Sequence, residues 1–210
     1  MARTTSSFAR KPAKYLPQKR ALIICEDTKS CLLYLQDAAM HFRSYAEVEV
    51  SHCGKTDTIG IVKEAIKRKS AFDEVFCAVD RDAHEGFDEA MQLAATNGIG
   101  FMASYPCYEF WLLLHFRFTR APCAREGTDS SGDVMVRWLR AHEEMSDYGK
   151  GDVKGLFEKL LPKLPTARKN AAAALKSVEV EGNPNPSTYI HMLIDKLEAL
   201  GKLQEVTAEK

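Results

Sequence analysis

The stretch Phe72-Asp73-Glu74-Val75-Phe76-Cys77-Ala78-Val79-Asp80-Arg81-Asp82 is a short apolar run that ends in two acids one residue apart. Its length and its Val, Phe and Cys content read as a buried strand. Positions i and i+2 of a strand share a face, so Asp80 and Asp82 point the same way if the strand persists. A second apolar run, Ala21-Leu22-Ile23-Ile24-Cys25, stops as abruptly at Glu26. Open parallel sheets place their sites beyond the carboxyl ends of the strands, where Glu26, Asp80 and Asp82 would converge. Clustered carboxylates repel one another unless they are protonated or neutralised by a cation, and hard oxygen donors suit Mg2+ or Mn2+. The competing explanation is that these are ordinary turn and helix-capping acids.

Outward from these two strands, the pattern alternates. A helix over residues 29–43 presents Leu32, Leu33, Leu35, Ala39 and Phe42 on one face, and a strand follows near Val48 to His52. Residues 56–69 read as a helix with Ile59, Val62 and Ile66 inward and Lys63, Lys67, Arg68 and Lys69 outward, a basic face of the kind that is usually solvated. After strand 73–80 come a helix over 85–97, a break at Asn97-Gly98 and a strand over 99–103. This alternation predicts an α/β fold with a parallel sheet flanked by helices. The polar loop Arg125 to Gly132 marks a boundary, after which helices are expected over 134–144, 153–160, 165–178 and 188–200, the last capped by Ser187.

The order strand-Glu, helix, strand, then strand-Asp-x-Asp resembles the Toprim domain of primases, topoisomerases and several nucleases. The segment Ser104-Tyr105-Pro106-Cys107-Tyr108-Glu109-Phe110-Trp111-Leu112-Leu113-Leu114-His115-Phe116 is similar to the signature of the RloB-like, or AbiLii-like, family of Toprim proteins. The resemblance runs from about Leu22 to Leu200 and includes Asn183-Pro184-Asn185-Pro186-Ser187-Thr188. It implies a Toprim-like sheet with a helical C-terminal extension, a role in restriction or phage defence, and a partner ATPase encoded nearby. Two positions depart from the family pattern. Asp27 stands where a Gly is usual, and Ser30-Cys31 replace Thr-Glu, while Tyr34 is in place. Either the lost acid weakens the site or Asp27 substitutes for it.

Glu109 opens an apolar helix, where an acid meets the helix dipole favourably. Its place in the family signature implies a site role as well, and a fourth carboxylate beside Glu26, Asp80 and Asp82 would suit two-metal phosphodiester chemistry. Tyr148-Gly149-Lys150 matches a tyrosine-x-lysine element of the family, which implies that Lys150 meets a phosphate; without the resemblance it reads as a turn residue. Gly54-Lys55-Thr56 is not a P-loop, because Glu49 stands where the motif needs its first glycine. Lys55 is nonetheless a candidate phosphate contact, since the next helix offers its N-terminal amides. His115, on an otherwise apolar helix, reads as a hydrogen-bonded core histidine. Arg81 faces away from its flanking aspartates and is expected to pair with a neighbouring acid. A haloacid-dehalogenase-like phosphatase is disfavoured, because His84 stands where Thr or Val belongs.

At 210 residues, 45% hydrophobic and 28% charged, the chain builds one good core and a small appendage. The expected division is a basic arm over 1–20, an α/β domain over 21–120 and a helical extension over 121–210. The arm carries Arg3, Arg10, Lys11, Lys14, Lys19 and Arg20 without one acid, although the net charge of the whole is zero. Such an arm reaches along a phosphate backbone or serves as a solubilising terminus. No apolar run is long enough to span a membrane and residues 1–20 have no signal-peptide core, so a cytoplasmic location is expected. The six cysteines, Cys25, Cys31, Cys53, Cys77, Cys107 and Cys123, form no Cys-x-x-Cys pair and read as reduced thiols. Together these readings predict a metal-dependent nuclease using Mg2+ or Mn2+ on DNA or RNA, with a nucleic-acid-binding or regulatory module, inert without its ATPase, as the alternative.

Overall fold

The computed structural model describes residues 15, 17–42, 46–81, 86–150 and 154–202. Five strands, β1 (Lys19–Cys25), β2 (Ala46–His52), β3 (Glu74–Asp80), β4 (Gly100–Tyr105) and β5 (Ser187–Thr188), form one sheet in the order β2-β1-β3-β4-β5. The first four are parallel, and β5 runs antiparallel along β4. The chain leaves β1 on one side to make β2 and returns on the other to make β3. The point where the strand order reverses therefore lies between β1 and β3, the two strands that end in Glu26 and Asp80.

Alternation along the strands divides the interior in two. Ile23 and Cys25 of β1, with Phe76 and Ala78 of β3, face one core; Leu22 and Ile24, with Val75, Cys77 and Val79, face the other. The second core is covered by α2 (Thr58–Arg68) and α3 (Phe87–Thr96), through Ile61, Val62, Ala65, Phe87, Ala90 and Ala94. The first, larger core is covered by α1 (Ser30–Phe42) and by the helices that follow β4. These are α4 (Glu109–Leu113), α5 (Ser131–Arg140), α6 (Leu156–Leu160), α7 (Leu164–Glu181) and α8 (Ile190–Leu200). The segment after residue 120 thus shares a core with the sheet. Trp111 and Phe110 are wholly buried in it, with Tyr34 and Phe157 meeting edge to face at 5.2 Å.

The α/β architecture is the one expected. Within it, α1 buries Cys31, Tyr34 and Ala38 beside Leu35 and Ala39, whereas Leu32, Leu33 and Phe42 are only half-buried, so the inward face is rotated from the one expected. Ser187 is not a helix cap: it pairs with Tyr105 in β5, and the hydroxyl of Thr188 accepts from the Ile190 amide at 3.2 Å where α8 begins. Two residues of strand are too short to leave a period-2 signal, and a Ser-Thr pair before an apolar helix imitates a cap. Gly100 lies opposite Phe76, where a Cβ would meet the ring at 2.3 Å, so only glycine lets β4 close on β3 there. Among the described residues no helix is long and apolar enough to cross a membrane, and all six cysteines are free thiols. The arm residues 1–14 lie outside the described residues, while Lys19 and Arg20 at its end are paired with Glu74 and Glu47.

Candidate metal and phosphate site

The site is built where β1 and β3 end. The Glu26 amide donates to the Ala78 carbonyl at 3.0 Å, which carries the β1–β3 ladder one residue past the strand. The Glu26 side chain then reaches across, and its Oε2 accepts from the Asp80 amide at 2.9 Å. The Glu26 carboxylate is thereby fixed against the Asp80 backbone at the point of strand reversal. Glu26 and Asp80 line a cleft of about 10 Å³ together with Asp27, Cys31, Ser104 and Tyr108. That volume is about one water-sized sphere.

Asp80 shares its parity with Phe76 and Ala78, so it belongs to the face covered by α1 and α4. The strand ends at Asp80, and Asp82 lies outside the described residues, so the same-face relation expected of the pair is carried by the sequence alone. Among the described residues no group of three or more His, Cys, Asp or Glu is arranged to hold a metal ion. Glu26 and Asp80 are nonetheless adjacent hard-oxygen donors of the kind Mg2+ and Mn2+ take, and Asp82 is two residues along the chain. Within the described residues this is part of a donor set and not a complete one.

Asp27 does different work. Its two oxygens accept from the Cys31 and Leu32 amides at 2.9 and 3.1 Å, so it caps α1. Cys31 is buried beside Cys25; the hydrogen bond its thiol donates to that neighbour, and then burial, hold it well above the ordinary range. Burial, with Glu109 and Asp80 nearby, does the same to Cys107. Neither is a ready nucleophile.

Glu109 begins α4 and is 3% exposed. Its Oε1 accepts from the Tyr148 hydroxyl at 3.2 Å, and the Lys150 ammonium stands 3.7 Å away. Tyr148 also donates toward Ser30 at the start of α1, and Ser30 in turn donates to the Lys150 carbonyl, both at 3.2 Å. Burial works against the Lys150 charge, but Glu109, Cys107, Asp80 and Asp133 outweigh it and raise its pKa. Asp80, Glu109 and Lys150 therefore share one electrostatic neighbourhood. A serine on α1 and a tyrosine 39 residues after Glu109 tie it together. The tyrosine-x-lysine element pointed to Tyr148, but no spacing rule singled out Ser30.

Lys55 stands apart on the exposed loop after β2. The next helix is capped by Asp57, whose Oδ1 accepts from the Gly60 amide at 2.6 Å. Arg81 pairs with a neighbouring acid as expected, Asp88 at 3.0 Å, and lies 4.6 Å over the Phe87 ring. His115 is a core histidine, its Nδ1 3.1 Å from the Trp111 carbonyl and its Nε2 3.4 Å from the Tyr34 hydroxyl; burial lowers its pKa to about 4.

A mostly parallel sheet flanked by helices, with Glu26 and Asp80 at its switch point, defines the class: an α/β protein with acidic residues at the strand ends. The chain belongs to the RloB-like protein family, whose pattern matches residues 21–197. No curated protein and no solved structure matches it.

Proposed function

We propose that this chain is a Toprim-type, metal-dependent phosphodiesterase that cleaves nucleic acid in anti-phage or abortive-infection defence, together with an ATPase partner. The observation that supports this reading is the bond from the Asp80 amide to the Glu26 carboxylate, with both residues lining one cleft at the switch point. Glu26, Asp80 and Asp82 would hold the Mg2+ or Mn2+. When bound, the ion supplies positive charge to the scissile phosphate and a more acidic water. Glu26, oriented by the Asp80 amide, would share in holding the ion or carry a proton as general acid or base. Lys150 is a cation kept charged by its acidic neighbours, suited to a flanking phosphate, and Glu109 and Tyr148 hold it in place.

A second reading has its own observation. Cys31 stands where the family pattern has an acid, and Asp27 is occupied by α1. The same fold would then bind nucleic acid and cleave weakly until its partner engages. The test is cleavage of DNA and of RNA by the pure chain in Mn2+, with and without the neighbouring ATPase. Metal-dependent cleavage by the chain alone supports the first reading. Cleavage only with the partner supports the second, and none in either mixture defeats both.

A further inference from the structure

One residue lining the cleft between the two strand ends, Tyr108, carries a buried polar atom without a hydrogen-bond partner among the described residues. Tyr108 precedes α4 and is 2% exposed, and the atom is its hydroxyl oxygen. A buried hydroxyl left unsatisfied costs about 1 to 3 kcal/mol, a cost that phenylalanine would avoid in the same space. The Tyr108 side chain lines the cleft with Glu26, Asp27 and Asp80. The two Asp27 oxygens already receive amides, and the cleft is the size of one water.

We propose that Tyr108 seats a single water between the Glu26 and Asp80 carboxylates and so acts as a positioning residue for the cation they hold. Hydrogen-bond inventory supports the arrangement. Carboxylates only accept, so the water turns its two hydrogens to Glu26 and Asp80, and one of its lone pairs takes the Tyr108 hydrogen. Burial raises the phenol well above its ordinary pKa, which keeps that hydrogen in place at neutral pH. Supporting partners of this kind fix the orientation of ligating carboxylates, and their loss typically weakens metal binding ten- to a hundredfold.

The inference rests on the phosphodiesterase reading for its cation but not for its water. The test is Tyr108→Phe in the full chain, measured twice. Without divalent ions, thermal unfolding should show a lower Tm, because the variant loses the bond to the water. In calorimetric titration with Mn2+, the Kd should rise at least about tenfold. A higher Tm would mean that the hydroxyl was unsatisfied and would overturn the water seat. A lower Tm with an unchanged Kd would overturn the positioning role. A parent that binds no Mn2+ would overturn the phosphodiesterase reading and the positioning role with it, while the Tm would still decide the water seat.

Discussion

The Tyr148 hydroxyl donates to Glu109 Oε1 at 3.2 Å, so a buried carboxylate is held by a residue from the loop that also supplies Lys150. The same hydroxyl reaches Ser30 at the first turn of α1. Three segments far apart in the chain meet at one oxygen atom. Removing that atom is therefore a test of how firmly the site is assembled.

Tyr148→Phe should destabilise the fold by about 1 to 3 kcal/mol, since a buried acid loses its donor and a buried serine loses a partner. Urea unfolding measures this directly. A change below a few tenths of a kcal/mol would mean that water replaces the phenol at no cost.

Asp80→Asn and Asp82→Asn should each abolish divalent-dependent cleavage while leaving Tm unchanged or higher, because neutralising one of several close carboxylates relieves their repulsion. Cleavage assays with a Tm control check both halves. Full activity in the double variant would end the nuclease assignment.

Glu109→Gln keeps an oxygen for Tyr148 but removes the charge beside Lys150. If Glu109 belongs to the site, turnover falls and more Mn2+ is needed for half-maximal rate. Should it serve only the helix dipole, the loss is confined to stability, about 1 kcal/mol or less. Mn2+ titration of cleavage separates the two.

His115 gives a pH signature. Its folded pKa of about 4 lies below the ordinary 6.5, so the unfolded chain binds the extra proton between these values. Stability is then full above pH 6.5 and falls as the pH drops toward 4, by on the order of 3 kcal/mol from this group. His142 and His191, also lowered chiefly by burial, add to the same slope. Unfolding free energies of the parent and of His115→Phe across this range should differ in slope by close to one proton. Equal slopes would place the imidazole in contact with solvent.

The sheet was legible because its central strands are buried on both faces: Leu22, Ile23 and Ile24 form an unbroken apolar run, and so do Val75 to Val79. Glu26 and Asp80 stood out because each ends such a run. Their adjacency did not, for it depends on β3 pairing with β1 and not with β2, and register leaves no mark on a uniformly apolar strand. The role of Asp27 was ambiguous for a different reason. An acid after a strand is equally suited to an ion and to the amides of the next helix, and here the helix has it. At Lys55 the sequence showed a helix start nearby but not that Asp57 would cap it through the Gly60 amide.

On the ribosome, Ser104 emerges 84 residues before Thr188, the residue whose hydroxyl it will meet at 2.9 Å. Until β5 arrives, β4 offers an open edge to any passing strand, and Ile190 is not yet in place against the cleft. A polypeptide cut short before residue 187 would carry Glu26 and Asp80 and still lack Ile190, which lines their cleft. Synthesis itself thus delays completion of the site until nearly the whole family-matched segment has been made.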